Sequence, residues 1–160
     1  MRILVLSDTH IPKVAYDLPK AVYDEIPNVD LIIHAGDFVE KGVLDKLRSL
    51  KETKAVYGNM DFPDLHEALN AKEVIQAGRF KIGLIHGHGA PRDLMETVRA
   101  EFTNVDVIIF GHSHSAANIV KDKILFFNPG SPTDNIFAAY NSYGILEITD
   151  KAIEGKIIKI

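Results

Sequence analysis

The sequence predicts one α/β domain with mixed sheets. Three observations carry this. Short runs rich in Ile, Val and Leu alternate with longer amphipathic stretches through the first two-thirds of the chain. Beyond residue 110 the pattern changes to closely spaced apolar runs. The length of 160 residues fits one domain over 1–160, whereas a (β/α)₈ barrel needs roughly 250 residues. A chain of this size buries about two-thirds of its unfolded surface, enough for a real core.

The first expected strand is Ile3-Leu4-Val5-Leu6 and the second is Leu31-Ile32-Ile33. Ala55-Val56-Tyr57, Ile82 to Ile85 and Val105 to Phe110 follow. Runs of this length and β-branched content read as buried strands. The early strands are separated by helical patterns. Leu18, Ala21, Val22 and Ile26 share one face, with Asp17 as the expected cap and Pro19 in the first turn. Val43 to Leu50 has apolar residues at helical spacing, as do Leu94, Val98 and Phe102 after Pro91. Strand–helix–strand order implies parallel pairing with right-handed crossovers. After residue 110, Ile119-Val120 and Ile124 to Phe127 flank the polar Lys121-Asp122-Lys123 and read as a hairpin. Tyr143 to Ile148 and Ile157 to Ile160 read as further strands, so the tail is expected to add antiparallel strands.

Composition narrows function. Eighteen basic and 22 acidic residues give a net charge of −4, which argues against a broad nucleic-acid surface. With no cysteine, disulfides, zinc fingers, thiol catalysis and iron–sulfur clusters are excluded. Any metal must be held by His, Asp, Glu, Asn or backbone oxygen. The N-terminal apolar run meets Asp8 at once, unlike a signal peptide. No apolar stretch approaches the roughly 18–20 residues of a membrane span. The expectation is a cytoplasmic protein with no membrane partner.

Five apolar runs end in polar clusters of metal-ligand chemistry. These are Asp8-Thr9-His10, Gly36-Asp37, Gly58-Asn59, His86-Gly87-His88 and Gly111-His112-Ser113-His114. Ligands of open α/β sheets bind beyond the carboxyl ends of the strands, so all five clusters would meet at one edge. Asp8 and His10 are two apart, as are His112 and His114. In extended chain such pairs point the same way, so each would aim two donors at one region. Glycines 36, 58, 87 and 111 allow tight turns and close backbone approach. A lone His or Gly-Asp is more often structural. Five such clusters, all at run ends, point to a metal site. His34, within a strand pattern, reads as a core or surface residue. His66, after Pro63, reads as a solvated helix residue.

This order of motifs resembles the calcineurin-like metallophosphoesterases, whose signature runs DxH, GD, GN(H), H and GHxH. Asn128-Pro129-Gly130-Ser131 is similar to a segment of the small YfcE-like phosphodiesterase branch. The resemblance spans residues 1 to about 131, and the chain matches that branch in length. It implies a four-layer αββα sandwich and two divalent transition-metal ions. By motif, Asp8, His10 and His114 would hold the first ion, Asp37 would bridge, and Asn59, His86 and His112 would hold the second. The imidazole and carboxylate mixture suits Mn, Fe, Zn, Ni or Co. Two carboxylates against two divalent ions leave the inner site near +2, which favours a phosphate oxyanion. The neutral Asn59 amide preserves that surplus. The implied activity is phosphodiester hydrolysis of a small phosphate ester by a metal-activated hydroxide, with Asp37, Asn59 and His86 at the reacting centre. A homodimer is common in this branch.

Met60 departs from the family pattern. Many members carry there a histidine that protonates the leaving group, although the small branch commonly lacks it. This implies good leaving groups or a substitute acid, for which His88 and Asp61 are the candidates. Asp61 could instead orient a ligand, and His88 could contact only substrate or water. Arg92 is a candidate phosphate binder beside Asn59 and His88, or an exposed helix-start arginine. Selectivity is expected to come from loops 11–16, 60–66 and 132–142.

Four other readings are weaker. A phosphomonoesterase would need a proton donor other than Met60. A binding module that kept the fold has a precedent in the retromer subunit, whose catalytic set is degraded. The full ligand set weighs against it. A metallo-β-lactamase-like site needs HxHxDH, but Ala90 and Pro91 follow Gly89. A dinucleotide-binding loop would need a third glycine at position 92, which is Arg92.

Overall fold

A computed structural model describes residues 1–160. The chain runs β1 (Arg2–Leu6), α1 (Lys20–Glu25), β2 (Leu31–His34), α2 (Lys41–Leu50), β3 (Thr53–Ala55), α3 (Pro63–Ala68) and β4 (Lys72–Ala77). It continues with β5 (Phe80–Ile85), α4 (Leu94–Ala100), β6 (Val107–Ile109), β7 (Ala117–Lys121), β8 (Ile124–Asn128), β9 (Ser142–Ile148) and β10 (Ile153–Lys159).

Two five-stranded sheets form, in the orders β10-β9-β1-β2-β3 and β4-β5-β6-β8-β7. In the first, β1, β2 and β3 are parallel and β9 is antiparallel to both β1 and β10. In the second, β5, β6 and β8 are parallel, and β4 and β7 are antiparallel edges.

Period-two alternation explains the layering. Both faces of the central strands are buried, so successive residues enter different cores. Ile3 and Val5 meet Ile82, Leu84, Val107 and Phe127 between the sheets. Leu4 and Leu6 face Val22, Leu44 and Leu47 from α1 and α2. Ile108 and Phe126 face Leu94 and Val98 from α4. The order helices, sheet, sheet, helix is the expected αββα sandwich.

Several expectations need correction. Asp17 does not cap α1. Pro19 is the N-cap residue, and the Asp17 carboxylate instead accepts from Tyr23 Oη at 2.5 Å and Lys46 Nζ at 2.7 Å. The third strand ends at Ala55 rather than starting there. Val56 leaves the sheet for a bridge to Asn70. β8 is parallel to β6, because β7 returns along the edge and frees it to join the middle of the sheet. β4 has no counterpart among the predicted strands. Lys72, Glu73 and Gln76 interrupt its apolar residues and only Ile75 and Ala77 are buried, which hides an edge strand from an apolar-run search.

Phe127 locks the two sheets. It is fully buried, and a Cβ on Gly155 would stand 2.6 Å from its ring. Phe127→Ala is expected to lower stability by about 3–5 kcal/mol, read by urea denaturation. A loss near 1 kcal/mol or less would show that the sheets close without this ring.

Candidate metal centre

The parallel strands of both sheets end at one rim. Asp8 and His10 follow β1, Asp37 follows β2, and Asn59 follows β3. His86 follows β5, and His112 and His114 follow β6. The structure thereby brings together all seven residues that the motifs singled out as metal ligands.

The local backbone is not the extended chain expected of the two spaced pairs. Asp8, His10, Asp37, His112 and His114 all have positive φ, between 45° and 69°. That conformation is rare for residues with a side chain and collects at functional sites. It also separates His112 from His114. His114 Nε2 lies 3.1 Å from His10 Nε2, while His112 Nδ1 lies 3.1 Å from Asn59 Oδ1. The pair therefore serves two neighbouring regions rather than one.

Distances among the donors match those around a bound ion. With metal–ligand bonds near 2.0–2.1 Å, adjacent ligand atoms lie roughly 3.0–3.4 Å apart. Asp8 Oδ1 is 3.4 Å from His114 Nε2. Asp37 Oδ2 is 3.3 Å from His86 Nε2 and 3.6 Å from His10 Nε2. The other oxygen, Asp37 Oδ1, accepts the Met60 N–H at 2.7 Å. One carboxylate oxygen thus faces two imidazoles.

Hydrogen bonds fix which ring nitrogens offer lone pairs. His86 Nδ1 donates to the Ala35 carbonyl at 2.8 Å. His86 Nε2 is buried and makes no hydrogen bond, with Asp37 close but badly aligned. His114 Nδ1 donates to Asp134 Oδ2 at 2.5 Å, and His112 Nε2 donates to the Gly89 carbonyl at 3.0 Å. The remaining nitrogens point at one another or at oxygens. His114 Nε2 faces Asp8 Oδ1 at 3.4 Å and His112 Nδ1 faces Asn59 Oδ1 at 3.1 Å, pairs of acceptors that a cation between them would reconcile. The donor set fits a divalent transition metal on these grounds.

Electrostatics gives the same demand for positive charge. Burial lowers the His10 pKa, keeping its imidazole neutral. Burial opposes charge on His86 too, but Asp37 and Asp8 overcome it and push the pKa up to about 9.

Neighbouring residues hold the ligands in place. Asp61 is buried, and its carboxylate accepts the N–H groups of Asp37, Val39 and Gly58 at 3.1, 2.7 and 2.8 Å. Burial is the main cause that raises its pKa, against those three donors. A Cβ on Gly58 would collide with Asp37 Oδ1, and one on Gly111 would stand 2.7 Å from Asp8 Oδ2. Asn128 donates to the Gly111 carbonyl, and Ser131 donates to the Asp8 carbonyl. His34 is fully buried, with its pKa pushed well down by burial. Its Nδ1 accepts the Gly36 N–H at 3.1 Å, and its Nε2 lies 3.2 Å from Thr9 Oγ1.

A cleft of about 460 Å³ opens over the centre, lined by His10, Asp37, Asn59, His112 and His114. Met60, Lys13 and Phe137 line its mouth. Asp61 lies behind the ligands rather than in this cleft. His88 lies instead in a second cleft of about 300 Å³, together with Tyr57, His66, Asn59 and His86. His66 is exposed and stacks on Tyr57. Arg92 is exposed, pairs with Asp93 at 3.3 Å, and lines neither cleft.

Residues 1–151 match the model of the calcineurin-like phosphoesterase superfamily domain. The chain belongs to that superfamily. A probable metallophosphoesterase of Methanocaldococcus jannaschii is 43% identical over 163 aligned positions, covering 100% of this chain and 82% of the relative. A solved archaeal phosphodiesterase is 27% identical with a TM-score of 0.72, covering 99% of this chain and 100% of the other. Vps29 of Entamoeba histolytica, solved with Zn²⁺, is 28% identical with a TM-score of 0.77, covering 99% of each chain. Calcineurin-like phosphoesterases use divalent metals, and the rim of this phosphoesterase carries the matching ligand groups. No helix is long and apolar enough to cross a membrane.

Sequence reasoning missed Asp134. Nearly fully buried, it accepts from His114 and from the N–H groups of Ile136, Phe137 and Ala138. Burial raises its pKa, but these donors outweigh that and hold the carboxylate below its ordinary value. An acid in the 132–142 loop was the one available signal, and nothing in the sequence paired it with a histidine twenty residues away. Asp134→Asn is expected to weaken Mn²⁺ or Zn²⁺ binding by about 10–100-fold. Calorimetric titration would measure it, and unchanged affinity would show that His114 needs no such support.

Proposed function

We propose that this phosphoesterase is a two-metal phosphodiesterase. The observation that carries the reading is Asp37 Oδ2, which lies 3.6 Å from His10 Nε2 and 3.3 Å from His86 Nε2 while Oδ1 is tied to the Met60 N–H. A carboxylate so held can serve two ions at once. Asp8, His10 and His114 would complete one ion's set, and Asn59, His86 and His112 the other's. When bound, two ions supply Lewis acidity at the phosphoryl oxygens and lower the pKa of a water to about 7.

This chain's residues then have defined tasks. His86 and His114 keep their Nε2 lone pairs in the site through the Ala35 carbonyl and the Asp134 carboxylate. Asp61 fixes the backbone that carries Asp37 and Asn59. Asn59 is neutral, so it places an oxygen at the centre without lowering its positive charge. It also lines both clefts. A phosphate held beside Asn59 with one ester arm in each cleft would be a diester rather than a monoester.

Met60 offers no proton to a leaving group, and Asp61 is committed to backbone N–H groups. His88 stands across Asn59 in the second cleft and is the remaining candidate donor for an arm placed there. Arg92 would bind an arm only by swinging from Asp93.

The second reading is a binding module that keeps the metals without turnover. Met60 is the observation that favours it.

Chelator-stripped protein given Mn²⁺, Ni²⁺, Zn²⁺ or Mg²⁺ is expected to regain hydrolysis of bis-p-nitrophenyl phosphate with a transition metal. The monoester p-nitrophenyl phosphate is expected to react more slowly. Asp37→Ala should lower turnover by at least about 100-fold, since one carboxylate serves both ions. Near-normal turnover in that variant would overturn the two-metal reading. Metal binding without turnover of either ester would favour the binding module.

A further inference from the structure

The loop after Ser131 carries an unusual pair. Ile136 and Phe137 are 74% and 75% exposed, yet both line the cleft over the metal ligands. Large apolar side chains this exposed at a concave site mark a contact surface. The pair is also held firmly. Asp134 accepts the N–H groups of Ile136 and Phe137, at 2.8 and 3.1 Å, with the same carboxylate that accepts from His114. The Phe137 ring stands nearly perpendicular to the His114 ring, with centroids 5.8 Å apart. An apolar shelf is thereby set at a fixed position beside a metal ligand.

From this geometry we infer that the shelf of Ile136 and Phe137 selects phosphodiesters bearing an aromatic ring on one ester arm. The inference rests on the phosphodiesterase reading and names the substrate class for that site. Four facts favour a ring. Phe137 offers a planar partner, and aromatic pairs gain beyond their buried area. The cleft of about 460 Å³ has room for a phosphate and one ring beside it. Met60 and Val14 also line it and add apolar surface to the shelf. Lys13 is the one lysine or arginine lining the cleft, and the acids that line it, Asp37 and Asp134, are tied to the metal-ligand groups. The shelf lies in the stretch 132–142, where the sequence placed selectivity, and it supplies no metal ligand.

The test is calorimetric titration of Mn²⁺-loaded protein with diphenyl, dibutyl and dimethyl phosphate. Stacking on one ring is worth roughly two- to tenfold in affinity beyond apolar area. Diphenyl phosphate is expected to bind more tightly than dibutyl phosphate by that factor. Phe137→Ala should remove the preference and leave dimethyl phosphate binding within about twofold. Ile136→Ser, which touches no metal ligand, should weaken diphenyl and dibutyl phosphate together. Equal affinity for diphenyl and dibutyl phosphate in the native protein would overturn the inference, because the shelf would then read apolar area alone. An equal loss of all three ligands in Phe137→Ala would also overturn it, because the ring would then act through His114. So would a dimer, seen by sedimentation, that dissociates in Phe137→Ala. The two readings fail separately. Turnover of bis-p-nitrophenyl phosphate with no ring preference removes only the shelf. Ring preference without turnover removes the phosphodiesterase and leaves an aryl phosphate binding site.

Discussion

Two buried carboxylates govern this molecule. Asp8 is fully buried and Asp37 nearly so, and burying anionic charge is costly unless it is paired. Their partners are imidazoles, with His10, His86 and His114 each within 4.0 Å of one or both carboxylates. Lone pairs and carboxylates together call for cations. The remaining features of the rim hold these groups close together.

That holding is done largely by backbone and by groups outside the cleft. Five ligand residues adopt positive φ, a strain that persists only when the surroundings over-determine it. Glycines at 58 and 111 let the ligand loops approach within distances that a Cβ would forbid. Asp61, Asn128, Ser131 and His34 tie those loops to each other through buried hydrogen bonds. The two sheets underneath, locked by Phe127, supply the rigid edge to which the loops attach.

The rim divides into a rigid inner part and an outer part free to differ. The fold that carries the rim is similar to that of an archaeal phosphodiesterase and a Zn²⁺-complexed Vps29. The outer part consists of Lys13, Met60, Ile136 and Phe137, which bear on what enters rather than on how ions are held. Asp134 is the joint between them, since one carboxylate orients His114 and pins the outer loop.

The sequence by itself determined the α/β class, most strands and the identity of the rim residues. Apolar runs and the polar clusters at their ends are local signals, readable without knowing what lies opposite. The weak edge strand β4, the parallel placement of β8 and the end of β3 escaped, because neighbouring strands decide them. So did the divergence of His112 from His114, since spacing cannot reveal left-handed backbone. Only the tertiary structure set Asp37 Oδ2 between two imidazoles, joined Asp134 to His114 and moved His88 into a separate cleft. Residue type and order select the chemistry of donors. Which donors face one another is a matter of distances across the two sheets, and those arise only when both cores are packed.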